Sequence, residues 1–220
     1  MARFMANNTD AVQPLDSPQL RVLLVCTGNI CRSPLAEQVL RGEAAKMSLS
    51  DVLKFESAGV MAQVGGDVHP QTVESMNKLD LKPEPHVARQ ITRDLILGSD
   101  LILVATTEHR SELARTAMKA VPQAFTMKEF VRIAEYVSSG GNNDNPDLHK
   151  KFLSTNTVAE RIALAAQFRG YAPRASSVED IIDPWGQSSQ VFDQVASEIL
   201  ELSSGVMQYL NGGTNNGKIK

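Results

Sequence analysis

The chain has 220 residues, 42% hydrophobic and 21% charged, with 22 Lys and Arg against 25 Asp and Glu for a net charge of −3. That length supports one sizeable core, and the balance of charge argues against a broad nucleic-acid footprint. No apolar run approaches a membrane span, there is no secretory h-region, and both cysteines, Cys26 and Cys31, share one loop, so a disulfide scaffold is excluded. A reducing cytoplasmic setting follows. The four histidines, His69, His86, His109 and His149, are scattered without zinc spacing, so no metal and no cofactor are expected.

Residues 1–19 are polar and aperiodic and read as a disordered lead-in. Leu20 to Cys26 is an apolar run of the kind buried in a parallel sheet. A short polar loop follows, and Ser33-Pro34 opens a helix to about Met47, since proline suits a first turn. Val52 to Val60 reads as a second strand, and Met61 to Val68, with Gly65-Gly66, as a flexible loop. His69-Pro70 starts a helix to Leu79. His86 to Thr92 is extended, with Thr92 or Ser99 as capping residues. Asp100 to Ala105 is a third strand, Thr107 to Ala120 a helix, Ala124 to Thr126 a fourth strand and Met127 to Val137 another helix. Ser138 to Asp147, rich in Ser, Gly and Asn, is expected to be an exposed, mobile loop within a flexible insertion over 138–160. Asn156 to Arg169 is helical, and Tyr171 to Asp180 is a loop. The last helix spans Ser188 to Leu210, with Val191, Val195, Ile199, Leu202, Val206 and Leu210 as a core seam. Residues 211–220 form a disordered tail. Strands alternating with helices imply βαβ units and a parallel sheet, in one domain over 20–210.

The stretch Cys26-Thr27-Gly28-Asn29-Ile30-Cys31-Arg32-Ser33 carries the chemistry. A thiol ends a strand, five residues separate it from an arginine, and a helix begins at once. Successive loop amides and the positive helix end make an anion site, and a guanidinium grips two phosphate oxygens as a lysine cannot. The same field favours thiolate over thiol. Gly28 lets the backbone pass close to the anion, and Asn29 tolerates a left-handed turn. Expulsion of an alkoxide or phenoxide is assisted by an acid. Asp183-Pro184-Trp185-Gly186 supplies a carboxyl whose presentation is restricted by the following proline, and Trp185 offers a wall for an aromatic leaving group.

These residues closely resemble the phosphate loop of the low-molecular-weight protein tyrosine phosphatases of bacterial type. The resemblance implies a flavodoxin-like, doubly wound four-stranded sheet of order 2-1-3-4 with helices on both faces. It implies Cys26 as nucleophile, Arg32 as clamp, Thr27 to Ser33 as the phosphate-binding loop, and Ser33 as the hydroxyl that supports the leaving thiolate. By the same resemblance Asp183 is acid then base, and Ser57 and His86 support Asn29. A reversible disulfide between Cys31 and Cys26 is implied too. The substrate would be a phosphorylated protein or small aryl phosphate, with no nucleic-acid or membrane partner. Many members carry a tyrosine followed by a second aromatic where this chain has Trp185 and Gly186, and Met61-Ala62-Gln63 lacks an aromatic on the opposite lip. Those departures bear on the substrate and leave the chemistry intact. A small-thiol-coupled arsenate reductase and a non-catalytic phosphate-binding module are the alternative readings.

Overall fold

A computed structural model describes residues 19–141, 144–175 and 179–213. The segments expected to be disordered, 1–19 and 211–220, lie outside the described residues except for residue 19 and residues 211–213. The latter close a turn on the last helix, Gly213 N–H donating to Gln208 O at 2.8 Å.

Strand β1 (Leu20–Cys26) lies between β2 (Leu53–Gly59) and β3 (Leu101–Val104), and β4 (Ala124–Thr126) pairs with β3. All three pairings are parallel, with Cys26 opposite Gly59 and Val25 opposite both Ala58 and Val104. The order β2-β1-β3-β4 is the flavodoxin-like winding. Successive side chains of a strand point to opposite faces, and β1 shows the consequence. Val22, Leu24 and Cys26 join the larger core, while Leu23 and Val25 join the smaller one. The larger core holds residues of α1 (Arg32–Lys46), α5 (Met127–Ser138) and α8 (Ser189–Leu210), and the smaller one residues of α3 (Arg93–Leu97) and α4 (Thr107–Thr116). With both faces covered, the strands need no polar side, which is why they read as unbroken apolar runs.

Threonine hydroxyls start several helices: Thr92 caps α3, Thr106 caps α4 and Thr126 caps α5. The expected helix over 107–120 is divided, since α4 ends at Thr116 and a 3-10 helix runs over Met118–Gln123, with Pro122 inside it. Helix α3 was read only as a capping site. It is five residues long, too short for a periodic pattern. In α8, Val195, Ile199, Val206 and Leu210 of the expected seam are buried, joined by Phe192, Ala196, Met207 and Tyr209, while Val191 and Leu202 are half-buried.

Two stretches expected to be mobile carry regular structure or backbone hydrogen bonds. Within 138–160, α6 (Pro146–Leu153) is capped by the Asn145 side chain and buries Leu148 and Phe152. Helix α7 (Val158–Phe168) follows with a capping box between Thr157 and Glu160. Residues 142 and 143 of the expected loop lie outside the described residues. The 61–68 loop is pinned by its backbone: Met61 N–H donates to Thr27 O at 3.0 Å, Gln63 N–H to Gly28 O at 2.9 Å and Gly65 N–H to Ala88 O at 2.9 Å. Its glycines serve close passage and a positive φ at Gly65 rather than mobility. Among the described residues, no helix is long and apolar enough to cross a membrane.

Candidate active site

The loop from Cys26 to Ser33 lies at the carboxyl end of β1, where strand order reverses and parallel sheets bind ligands. Asn29 is its hinge. It is fully buried with φ +56°, a left-handed conformation that asparagine tolerates better than most residues. Gly28 keeps an ordinary φ. Helix α1 starts at Arg32 with Cys31 as N-cap and no side-chain hydrogen bond to its first turn, leaving those amides to the concavity of the loop.

A polar network fixes the loop from behind. Arg89 N–H donates to Asn29 Oδ1 at 2.9 Å, which sets the orientation of the amide because a backbone N–H can only donate. The two hydrogens on Nδ2 go to Ser33 Oγ at 3.0 Å and Ser57 Oγ at 2.9 Å. Ser57 passes its own hydrogen to Glu37 Oε2 at 2.5 Å. His86 Nε2 lies 2.8 Å from Asn29 O. Ser57 and His86 therefore both touch Asn29, one at the side chain and one at the carbonyl. Arg89 donates through Nε to Ser57 O at 2.8 Å and pairs with Glu56 at 3.5 Å.

The Cys26 sulfur is 3.0 Å from Ser33 Oγ. Since that oxygen already accepts from Asn29, its hydrogen is free to point at the sulfur. Cys31 is also buried, and burial pushes its thiol up to about 11. It remains a thiol at neutral pH. Both cysteines are free, so the disulfide implied by the resemblance is not formed.

Arg32 is buried, and each end of its guanidinium is held: Nη1 donates to Ile181 O at 3.2 Å and Nη2 to Thr27 Oγ1 at 3.2 Å. Its Nε has no hydrogen-bond partner among the described residues. Nη2 also meets Asp183 Oδ2 at 2.6 Å, although the aspartate side chain is 47% exposed. Thr27 Oγ1 is 3.0 Å from His109 Nε2, and His109 Nδ1 is 2.8 Å from Thr106 Oγ1. Burial, aided by Arg32, lowers the His109 pKa to about 4, so the imidazole is neutral near pH 7.

The segment carrying Asp183 is moored to the sheet before it reaches the site. Thr107 N–H donates to Asp180 Oδ1 at 2.7 Å, Lys128 Nζ to Asp180 O at 2.9 Å, and Ile181 N–H to Ala105 O at 2.8 Å. A cleft of about 170 Å³ results, lined by Cys26, Thr27, Gly28, Ile30, Cys31, Arg32, Met61, Gln63, Asp183 and Trp185. Cys26, Arg32, Asp183 and Trp185, separated by up to 159 positions in the chain, thus face one space. The sequence reading missed His109, Glu37 and the Ile181 carbonyl. Glu37 sits on α1 one turn after Ser33, a spacing that places them on one helix face, while His109 comes from the first turn of α4 and Ile181 from the segment before Asp183, and neither left a local signal.

Comparison with known proteins gives the family and the fold. The model of the family described as low molecular weight phosphotyrosine protein phosphatase matches residues 21–141. A protein-arginine-phosphatase of Bacillus subtilis is 34% identical over 110 residues, covering 50% of this chain and 71% of that protein. The low molecular weight protein-tyrosine-phosphatase PtpB of Staphylococcus haemolyticus is 42% identical over 94 residues, 43% of this chain and 62% of its own length. The chain thus spans between three-fifths and three-quarters of these two relatives. The solution structure of a low molecular weight protein tyrosine phosphatase from Bacillus subtilis superposes with a TM-score of 0.60 at 26% identity, covering 87% of this chain and 97% of that one. Helices α6 and α7 follow the matched region and separate it from the Asp183 segment. On the span matched by that family model, this chain belongs to the low molecular weight phosphotyrosine protein phosphatases, hydrolases of phosphoric monoesters.

Proposed function

We propose that the protein hydrolyses aryl phosphate monoesters, phosphotyrosine foremost, through a phosphocysteine at Cys26. The observation that supports this most is the convergence of a sulfur, a guanidinium and a carboxyl on one cleft from β1, α1 and the 179–186 segment. A phosphate ester entering the loop meets the amides after Cys26 and takes the Arg32 guanidinium from Asp183, whose released carboxylate takes up a proton from solvent. The Cys26 thiolate then attacks phosphorus. The S–P bond forms as the ester P–O bond breaks, and the Asp183 carboxyl gives its proton to the departing phenoxide. Water next attacks the phosphocysteine with Asp183 accepting its proton. The S–P bond breaks, and the Ser33 hydroxyl, aimed by Asn29, stabilises the sulfur as it regains negative charge.

The side walls favour a flat apolar group. Ile30, Met61 and Trp185 flank the route to the sulfur, and a phenol ring packs on such surfaces without leaving donors unpaired. The Bacillus relative named as an arginine phosphatase makes phosphoarginine the comparison substrate. The test is turnover of phenyl phosphate, a phosphotyrosine peptide and phosphoarginine by wild type, Cys26→Ser and Asp183→Ala. The expected results are no turnover for the serine variant and a loss of about 10²–10⁴-fold for the alanine variant on aryl esters. Wild-type protein that binds phosphate and hydrolyses none of the three would overturn the proposal, and preference for phosphoarginine would overturn the substrate class.

A further inference from the structure

Three separate parts of the chain meet on His69, the N-cap of α2 (Pro70–Lys78). Its backbone N–H donates to Ile30 O at 2.8 Å, which ties it to the phosphate loop. One face of its ring stacks on Phe192 of α8, with centroids 5.1 Å apart and planes 16° from parallel. Phe192 is buried in a small apolar cluster with Ile30, Cys31 and Ala88, so this support is continuous with the loop that carries the nucleophile. Trp185 meets the imidazole edge-on, centroids 5.3 Å apart at 69°. The indole is 51% exposed, and among the described residues His69 is the only ring against it.

Trp185 and Asp183 are tied to each other locally. Pro184 between them fixes one backbone angle and restricts the residue before it, and Trp185 N–H donates back to Asp183 Oδ1 at 3.2 Å. We propose that His69 is a positioning residue for the acid: its ring, backed by Phe192, holds Trp185 and so sets Asp183 over the phosphate loop. The proposal rests on Asp183 as the leaving-group acid.

His69 also caps α2, its Nδ1 accepting from Gln71 N–H at 3.3 Å, and two substitutions separate the roles. His69→Asn keeps a capping acceptor and removes the ring, whereas His69→Phe keeps a ring and removes the cap. The readouts are kcat/KM on phenyl, 4-chlorophenyl and 4-nitrophenyl phosphates, whose leaving phenols are progressively more acidic, and the emission of Trp185, the only tryptophan in the chain. Asp183→Ala is the reference and should lose most on phenyl phosphate. His69→Asn should follow the same gradient, about 10-fold down on phenyl phosphate and under about 3-fold on 4-nitrophenyl phosphate. Its emission should shift to the red and quench more readily with acrylamide. His69→Phe should stay close to wild type in both readouts. A flat loss across the three esters by His69→Asn, or a His69→Phe as impaired as His69→Asn, shows that the ring does not set the acid and overturns the proposal. A steep gradient for Asp183→Ala with none for His69→Asn removes the role of His69 but keeps the acid. No gradient for Asp183→Ala removes the acid reading itself, and the positioning role with it.

Discussion

His109 shows how a residue outside the lining of the cleft shapes the site. Its imidazole lies between the hydroxyls of Thr106 and Thr27, and Thr27 Oγ1 in turn accepts from Arg32. With a folded pKa of about 4 against the ordinary 6.5, the ring resists a proton that the unfolded chain accepts. Above pH 6.5 it is neutral in both states and has no effect on the pH dependence. Between 6.5 and 4 only the unfolded chain charges, so stability falls as the solution is acidified; below 4 the loss is complete. Thermal unfolding followed by circular dichroism should show the wild-type midpoint dropping faster over that window than the midpoint of His109→Gln. Equal slopes would show that the ring titrates normally. None of this was legible in the sequence, where His109 is one polar residue on a helix start. The loop from Cys26 to Ser33 was legible because its thiol, guanidinium and helix start are contiguous, and a motif of that kind needs no tertiary information.

At the scale of elements, legibility followed length and burial. The strands were found because a sheet covered on both faces demands unbroken apolar runs, and α8 because 22 residues show a clear period. Helix α6 was hidden for the opposite reason. It has eight residues, follows a Ser/Gly/Asn stretch and places only Leu148 and Phe152 in the core. Those two are still enough to fix it. Phe152 stacks on Tyr209 with centroids 5.2 Å apart, Tyr209 meets Phe130 edge-on at 5.8 Å, and the Tyr209 hydroxyl donates to Arg161 O at 2.9 Å. One aromatic ladder thus joins α5, α6, α7 and α8. Phe152→Ala should lower stability by about 3–5 kcal/mol in urea unfolding, with kcat/KM for aryl phosphates unchanged because the residue lies outside the cleft. A loss below 1 kcal/mol would mean that α6 is only loosely docked.

Across the molecule, the sheet order decides where chemistry can happen. With β1 between β2 and β3, the carboxyl end of β1 opens at the point where the chain turns back on itself, and the loop and the Asp183 segment reach it from the two sides. Asp183 comes from far along the chain and is carried there by anchors on Ala105, Thr107 and Lys128, so the cleft exists only in the finished fold.

The contact between Arg32 and Asp183 at 2.6 Å has a consequence for turnover. On the proposed mechanism the Arg32 guanidinium grips the last product, inorganic phosphate, and Asp183 is a rival carboxylate attached to the same chain and therefore present at high effective concentration. Once it has released the proton taken from the attacking water, the aspartate can replace a loosened phosphate oxygen, which on the proposed mechanism eases departure of the product. Asp183→Asn removes that rival, and the inhibition constant of phosphate should fall several-fold in this variant even as catalysis collapses. An unchanged constant would mean that the ion pair is too weak to contest the anion.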